Sequence, residues 1–500
     1  MQYNCFCNSH LIKSLHPLKG AGAGANRRDP PGQRGQRLEE QMTVLIKNGT
    51  VVDPASGLHE VRDLWIDGDR IAEPAAHADQ VIDASGKIVC PGFLDIHMHE
   101  DPVDAEGKLE SYDEKSVFAC MLHMGVTTAV AGNCGENKLH PADYLDLVDR
   151  DGAPVNVAML AGHGFFRHQA GCLDRYAPAT AAQRGQMASE IREALQRGCI
   201  GVSFGIRYEP GMDSREFLEA AAGIRGSGKL LAAHVRDDAA QIFSATREFL
   251  DAGLQLDVPL QVSHIGSMAG FGQMAEFLEL IDRYRALRSD ICCDCYPYDA
   301  FSTGLGSATY DDGWLERYDC DYSVLELCLP EYFGRRCTEE LFRRMRREQP
   351  DCKTICHVMR QEDVDLAYRH EAVMVGSDAT LDRGMGHPRA CGTFPRVLSR
   401  YVRSGVLTLD DAIRRMTVLP AAQLGLSQKG RLSVGADADV VVFDPEHIID
   451  RATFADPLIP PAGIELVFVG GKPVLRDGVI LDRRAGKSVR GSLCTQGGQT

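Results

Sequence analysis

Eight short apolar runs, separated by amphipathic stretches, occupy the middle of this chain, and this alternation constrains the fold more than any other feature. The stretch 186–198 repeats Met187, Ile191 and Leu195 every four residues, which predicts one buried helix face, and Gly198 can end that helix. Strands that alternate with helices form a parallel sheet, and eight such units predict an α/β fold with a (β/α)8 TIM-like barrel. The eight runs are residues 88–99, 127–135, 156–164, 199–206, 230–236, 260–266, 291–298 and 373–379.

The segments on either side of these runs have a different sequence pattern. Residues 42–90 and 427–483 consist of short alternating segments separated by glycine-containing turns. They predict a small β-sandwich domain, built from both chain ends around a barrel at 91–426. The last barrel strand is delayed by residues 299–372, which are too many for an ordinary loop and predict an inserted subdomain near the active-site mouth. Residues 484–500 are expected to form a flexible C-terminal tail.

The first forty-one residues carry a Gly-Ala repeat, several arginines and prolines, and little apolar periodicity. Two interpretations stay open: a disordered tail, or a start codon assigned too early with Met42 as the true start. A basic transit-type extension is a lesser alternative. This segment is therefore set aside in predicting the fold.

The net charge and the cysteines indicate which binding partners and which cellular location to expect. The chain has 54 Lys+Arg against 70 Asp+Glu, a formal net charge of −16, which argues against a nucleic-acid or anionic-membrane partner because such surfaces attract basic patches. No apolar run approaches the ~18 residues that span a bilayer. Seventeen scattered cysteines without a secretory signal predict reduced thiols and a cytoplasmic location. The oligomeric state stays open.

Polar side chains fall at the carboxyl ends of five predicted strands. Barrel active sites are built at that end, so these side chains are expected to converge. Four imidazoles, a thiolate and a carboxylate are ligands that Zn²⁺ prefers. The pattern therefore predicts a metal site whose ligands are His97, His99, Cys134, His234, His264 and Asp378.

Several motifs resemble the amidohydrolase superfamily, and within it the N-acyl-D-amino-acid deacylases. VCPGFLDIHMH (89–99) and GADADVVVFDP (435–445) are similar to the superfamily, while Gly-Asn-Cys-Gly (132–135) and the His-Pro-Arg motif at 387–398 are similar to the deacylase branch. The resemblance covers about residues 44–482. It implies a metal-dependent amidohydrolase that acts on C–N bonds other than peptide bonds, with one or two Zn²⁺ ions per chain.

The resemblance also implies which residues hold each ion. Cys134, His234 and His264 would hold the tighter metal, and His97, His99 and Asp378 a weaker or partly vacant second site. The fourth predicted strand lacks the lysine that bridges two metals in many superfamily members, so Cys134 is the expected substitute. Chemically, a bound metal acidifies a water molecule and polarises the amide carbonyl. Asp378 is the predicted catalytic residue, taking a proton from that water and passing it to the leaving nitrogen.

Substrate-binding residues are predicted less directly. Tyr208, Tyr296 and Ser302 match positions that contact substrate in the deacylases, and His163 lies close to the predicted site. Three arginines can pair with a substrate carboxylate: Arg236, Arg389 and Arg396. The family typically places a lysine two residues after the sixth-strand histidine to bind that carboxylate, whereas this chain has Gly266.

The leading hypothesis is a zinc-dependent hydrolase of a small-molecule linear amide, most like an N-acyl-D-amino-acid deacylase. A cyclic-amide hydrolase of the hydantoinase or dihydroorotase kind is the alternative, and Gly266 favours it modestly. A non-catalytic scaffold of the same fold is a minor alternative, against which the complete ligand set argues. The acyl group, the amino-acid side chain and the preference for D or L substrates are not predicted.

Overall fold

The computed structural model describes residues 42–109 and 115–491. The predicted N-terminal tail, residues 1–41, therefore lies outside the described residues, as do the last nine residues of the predicted C-terminal tail.

An eight-stranded sheet forms the centre of the structure and confirms the predicted barrel. Its neighbouring strands pair in parallel along the whole order, and a parallel bridge between Met98 and Ala379 joins the first strand to the last. Leu94, Leu160 and Met374 are buried in one apolar cluster of this sheet. The barrel strands are β6 (Phe93–Asp95), β7 (Val126–Ala131), β8 (Asn156–Gly162), β9 (Gly201–Gly205), β10 (Leu230–His234), β11 (Leu260–Val262), β12 (Ile291–Cys295) and β16 (Val373–Val375).

Helices follow the barrel strands, as the amphipathic stretches predict. Met187, Ile191 and Leu195 are fully buried on one of them, which begins earlier than the periodicity indicates because Thr180 and Gln183 form a capping box. Among the described residues no helix is long and apolar enough to cross a membrane. The helices are α1 (Val117–His123), α2 (Pro141–Asp151), α3 (His163–Gln169), α4 (Ala181–Gln196), α5 (Ser214–Ala221), α6 (Ile242–Leu254), α7 (Ile265–Ala269), α8 (Met274–Arg285), α9 (Trp314–Tyr318), α10 (Glu339–Glu348), α11 (Gln361–Arg369), α12 (Arg389–Arg396), α13 (Leu409–Met416) and α14 (Val418–Gln423).

A second sheet contains strands from both ends of the described chain. Its nine strands form one hydrogen-bonded sheet, in which β5 pairs with β1 on one side and antiparallel with β19 on the other. Val44, Ile66 and Phe468 belong to its own buried apolar cluster. The strands are β1 (Thr43–Asp53), β2 (Leu58–Asp67), β3 (Arg70–Ala72), β4 (Gln80–Asp83), β5 (Ile88–Pro91), β19 (Val440–Phe443), β20 (Ile464–Val469), β21 (Lys472–Arg476) and β22 (Val479–Ile480).

The apolar run at 88–99 is not one strand, as the sequence suggests, but two. It divides at Gly92, so that β5 belongs to the nine-stranded sheet and β6 to the barrel. A Cβ atom at residue 92 would collide with the side chain of Thr127, the second residue of β7. Glycine is therefore required where the chain passes from one sheet to the other.

The segment between β12 and β16 carries a small sheet of its own, in the order β13-β15-β14. The inserted segment also contacts the carboxyl end of the barrel, since Tyr318 of α9 donates a hydrogen bond to Asp238 in the loop after β10 (2.7 Å). A two-stranded hairpin follows β16. The added strands are β13 (Phe301–Gly304), β14 (Leu325–Leu327), β15 (Lys353–Cys356), β17 (Leu381–Asp382) and β18 (Met385–Gly386).

The described part of the C-terminal segment packs against the barrel, which corrects the prediction of a flexible tail for residues 484–491. Gly486 and Ser488 form β-bridges with Ala153 and Val157, next to and within β8. Arg490 pairs with Asp146 on α2 at 2.7 Å. Backbone pairing and an ion pair thus fix a segment that the charged sequence did not mark as structured.

Candidate metal centre

The structure brings all six predicted metal ligands together at the carboxyl end of the barrel. Two groups have ligand atoms that lie within 4.8 Å of one another, and all their members are buried. Cys134 belongs to both groups, with its Sγ 3.4 Å from His97 Nε2 and 3.4 Å from His264 Nε2. The groups are His97, His99, Cys134 and Asp378, and Cys134, His234 and His264.

Cys134 is held in a tight turn that follows β7. Its φ is 54°, in the left-handed region that non-glycine residues rarely adopt, and the amide of Asn133 braces the turn by donating to the Val130 carbonyl (2.9 Å). At Gly135 a Cβ atom would lie 2.8 Å from the Gly205 nitrogen, so the turn can approach β9 only with glycine there. The Gly-Asn-Cys-Gly motif thus positions the thiol.

Two further ligands also have left-handed backbones, His264 with φ 35° and Asp378 with φ 49°. Each follows a barrel strand directly or within three residues. Such conformations cost on the order of 1–3 kcal/mol each and persist where the surrounding structure imposes them. Half of the ligand set is therefore placed by strained backbone, as is common at functional sites.

The ionisable groups of the cluster shift one another's pKa values. Burial alone would raise the pKa of the Cys134 thiol, but the His97 and His264 rings hold it well below its usual range. Burial likewise opposes protonation of His97, yet Asp294 and Cys134 raise its pKa well above the ordinary value. The low pKa favours the Cys134 thiolate, which is the metal-binding form of cysteine, whereas His97 would have to lose its proton to bind a metal.

Asp294, in β12, is a site residue that the sequence analysis missed. Its carboxylate lies 3.1 Å from His97 Nδ1 and accepts hydrogen bonds from the His264 backbone nitrogen (2.9 Å) and from Gln261 Nε2 (2.6 Å). It is fully buried. A carboxylate on Nδ1 leaves Nε2 of the same ring free for a metal, so Asp294 orients one ligand and supports a second.

Asp378 lies against a buried arginine. Arg389 Nη1 is 2.9 Å from Asp378 Oδ2, and the guanidinium carbon is 4.6 Å from the centre of the Tyr296 ring. Burial would raise the pKa of Asp378, but Arg389 and then His99, 3.2 Å away, hold it well below the usual range. In this structure Arg389 therefore forms its ion pair with Asp378.

Tyr208, another predicted substrate residue, lies beside the ligand His234, while Ser302 lies on β13 of the inserted subdomain. The Tyr208 ring is 4.7 Å from the His234 ring, and its side chain meets Thr303 of the inserted subdomain. The Ser302 hydroxyl is buried, and among the described residues it has no hydrogen-bond partner. Tyr296 is fully buried, with its hydroxyl 3.9 Å from the Met359 sulfur.

Two further predicted substrate residues, Arg236 and His163, have protein partners in the structure. Arg236 forms an ion pair with Glu248 (2.7 Å) and donates to the carbonyls of Pro210 and Met212, so every guanidinium nitrogen has a protein partner. His163 is stacked on Phe204 and lies 3.0 Å from Glu216. Both side chains thus lie against acidic residues of the protein in this structure.

Gly266 leaves little room for the lysine that the resemblance leads one to expect. A Cβ atom there would lie 3.1 Å from the Cys295 sulfur and 3.2 Å from the terminal carbon of Met359. Such distances are tighter than ordinary contacts. The pocket wall at this position is therefore already filled by sulfur-containing side chains.

Comparison with known proteins agrees with this geometry. A model described as "Amidohydrolase family" matches residues 362–475. The N-acyl-D-glutamate deacylase and the D-aminoacylase of Alcaligenes xylosoxydans xylosoxydans are each 34% identical, over 90% of this chain and 98% of theirs. The dihydroorotase of Aquifex aeolicus (strain VF5) is 25% identical over 82% of this chain and 92% of its own length.

Solved structures extend the comparison. The N-acyl-D-glutamate deacylase from Bordetella bronchiseptica, described in complex with zinc and a phosphonate mimic of the tetrahedral intermediate, superposes with a TM-score of 0.80 and 32% identity. The match covers 90% of this chain and all of that one. Fold and ligand set together define a barrel amidohydrolase of the metal-dependent class. Within that class, the chain belongs to the N-acyl-D-amino-acid deacylase (D-aminoacylase) family.

Proposed function

We propose that this protein is a zinc-dependent deacylase that hydrolyses the linear amide bond of N-acyl-D-amino acids. The observation that carries the proposal is Cys134, whose sulfur is shared by two groups of buried ligand atoms. A shared thiolate can link two ions in one site, and a deacylase relative of the same fold holds zinc. The substrate is a small molecule, and the oligomeric state is not part of the proposal.

The residues fit zinc. His99 Nδ1 and His234 Nδ1 are buried and, among the described residues, lack a hydrogen-bond partner, which is costly unless something else binds them. Thiolate, imidazole and carboxylate are the donors of zinc sites. Cys134, His234 and His264 would hold one ion, and His97, His99, Asp378 and Cys134 the other. Zinc supplies there the polarisation of the amide carbonyl and the acidification of water.

Asp378 is the proposed catalytic base and acid. Its low pKa keeps the carboxylate ionised, so that it can accept a proton from the attacking water and deliver it to the leaving nitrogen. Arg389 keeps this carboxylate in place from the side opposite His99. Tyr208 is proposed to contact the substrate at the entrance, and the Tyr296 ring to wall the pocket beside Arg389.

We propose a linear rather than a cyclic amide substrate because the deacylase relatives are more similar to this chain than the dihydroorotase is. Two deacylases are 34% identical over 90% of the chain, against 25% over 82% for the dihydroorotase. The N-acyl-D-glutamate deacylase and the D-aminoacylase are equally identical to this chain. Sequence identity therefore does not indicate which amino-acid side chain the substrate carries. We propose a cytoplasmic location because the cysteines of the described ranges are free thiols.

The test is hydrolysis by the zinc-loaded protein. The panel is N-acetyl-D-leucine, N-acetyl-D-glutamate, N-acetyl-D-aspartate, their L enantiomers, hydantoin and dihydroorotate, with acetate release or ring opening as the readout. We expect acetate release from at least one D substrate, loss of activity with a chelator, and recovery with zinc. Ring opening without acetate release would refute the linear-amide proposal.

A further inference from the structure

Arg167, on the helix α3 that directly follows barrel strand β8, is a fully buried arginine. Burying a guanidinium group is costly unless charged and polar partners surround it. Two carboxylates do so: Glu216 Oε1 lies 2.9 Å from its Nε, and Glu209 Oε2 lies 2.9 Å from its Nη1. One carboxylate would neutralise the arginine, so the second ion pair, with Glu209, exceeds what charge balance requires.

The other hydrogen bonds of Arg167 hold one loop, residues 171–178, which we call the strap. The strap lies directly against the loop after β9, because Gly211 N donates to the Arg175 carbonyl (2.8 Å). A Cβ atom at Gly211 would lie 2.4 Å from the backbone carbon of Tyr176, so the two loops can approach only with glycine there. Arg167 donates to three backbone carbonyls of the strap, those of Cys172 (3.3 Å), Asp174 (3.3 Å) and Ala177 (2.5 Å).

Tyr208 immediately precedes Glu209 in the loop after β9. Its ring lies 4.7 Å from the ring of the metal ligand His234. Tyr208 ends a three-residue 3-10 turn, which has few hydrogen bonds of its own to fix its orientation. On its N-terminal side the turn begins at Gly205, where a Cβ atom would lie 2.1 Å from the Cys134 carbonyl oxygen. On its C-terminal side the first charged contact is the ion pair of Glu209.

We propose that Arg167 is a positioning residue that holds Tyr208 against the metal ligand His234, through its ion pair with Glu209 and its hydrogen bonds to the strap. A guanidinium group suits this role because its planar fork donates in several fixed directions at once. Glu216, the other carboxylate, keeps the arginine itself in place. This inference rests on the proposed deacylase function, in which Tyr208 contacts the substrate.

The experiment is a double-mutant cycle in the zinc-loaded, full-length enzyme, with the D substrate of the panel that the wild type cleaves fastest. Arg167→Lys keeps the charge but loses the fork, and we expect kcat/KM to fall about 10- to 100-fold, the size expected for a misplaced substrate-contacting group. Glu209→Gln removes the same ion pair from the other side and should cause a similar loss. In a Tyr208→Ala background nothing remains to be positioned, so either change should lower kcat/KM by less than about threefold further.

The matched control is Arg184→Met on α4. Arg184 is also a buried arginine, but its partners are Glu219 (2.9 Å) and the Ala179 carbonyl (2.7 Å). Its loss should lower the melting temperature while kcat/KM stays near the wild-type value. Zinc content shows that the centre is intact in each variant, and Glu209→Gln carries the test if Arg167→Lys does not fold.

Two results would overturn the role of Arg167 while leaving the deacylase function standing. One is a loss of the same size with and without the Tyr208 side chain, which would mean that the arginine only stabilises the fold. The other is wild-type kcat/KM in Glu209→Gln. A wild-type enzyme that releases acetate from no N-acetyl amino acid would instead refute the proposed function, and the role of Arg167 with it.

Discussion

Asp294→Asn tests how the barrel holds its metal ligands. Asparagine can keep one oxygen for the His264 backbone nitrogen, which Asp294 Oδ1 now binds at 2.9 Å. Its NH₂ group then replaces Oδ2 and faces two donors, Gln261 Nε2 and His97 Nδ1. Gln261 can rotate its amide, since its Oε1 lacks a hydrogen-bond partner in the described structure. His97 Nδ1 instead loses the hydrogen bond to Oδ2 and the negative charge of the carboxylate, and keeps only Oδ1, 3.1 Å away.

The loss should therefore fall on the ion held by His97 and His99. Supporting carboxylates of this kind contribute about 10- to 100-fold in metal affinity, or about 1.4–2.8 kcal/mol. The ion held by Cys134, His234 and His264 should change less, because only a backbone contact connects Asp294 to that group. Zinc titration of the apoenzyme against a chromophoric chelator measures both affinities.

Asp290→Asn is the matched control. Asp290 precedes the same strand but pairs with Arg288 near the surface, so its loss should leave both zinc affinities unchanged. If Asp294→Asn bound both ions as tightly as the wild type, the inferred support of His97 by Asp294 would be wrong. Circular dichroism of the apoenzyme separates this outcome from misfolding.

Three further substitutions test the centre itself. Cys134→Ser should lower bound zinc and activity together, and Cys293→Ser neither; wild-type zinc content and turnover in Cys134→Ser would refute the shared thiolate. Asp378→Asn should lower kcat by about 10²–10⁴-fold while one zinc is retained, and substantial activity at neutral pH would contradict its role as base and acid. Arg389→Met should cost about 2–4 kcal/mol in kcat/KM, equally for charged and neutral substrates, because the arginine acts on Asp378. A loss confined to the charged substrate would instead show that Arg389 binds the carboxylate.

The barrel and the ligand set were predictable because both follow from local pattern. Strand ends in a parallel barrel converge, so a His-x-His pair and single polar residues at later strand ends must meet. Asp294 was not predictable, because it lies between cysteines inside an apolar strand and its partner His97 is 197 residues away. The partner of Arg389 was missed for a similar reason: the sequence shows a cation near the site, but only the packed structure shows which carboxylate it faces.

The division at Gly92 has a consequence for how the protein is made. Strand β5 needs β19, and their register pairs residue 91 with residue 440, while β6 begins two residues later and leads directly to His97. During synthesis β5 and β6 emerge early, but β19, which pairs with β5, is translated only near the end of the chain. Pairing over such a long sequence separation is slow and leaves an unpaired β-edge exposed meanwhile. A chain truncated before β19 would still contain every metal ligand, but it should aggregate through the unpaired edge of β5.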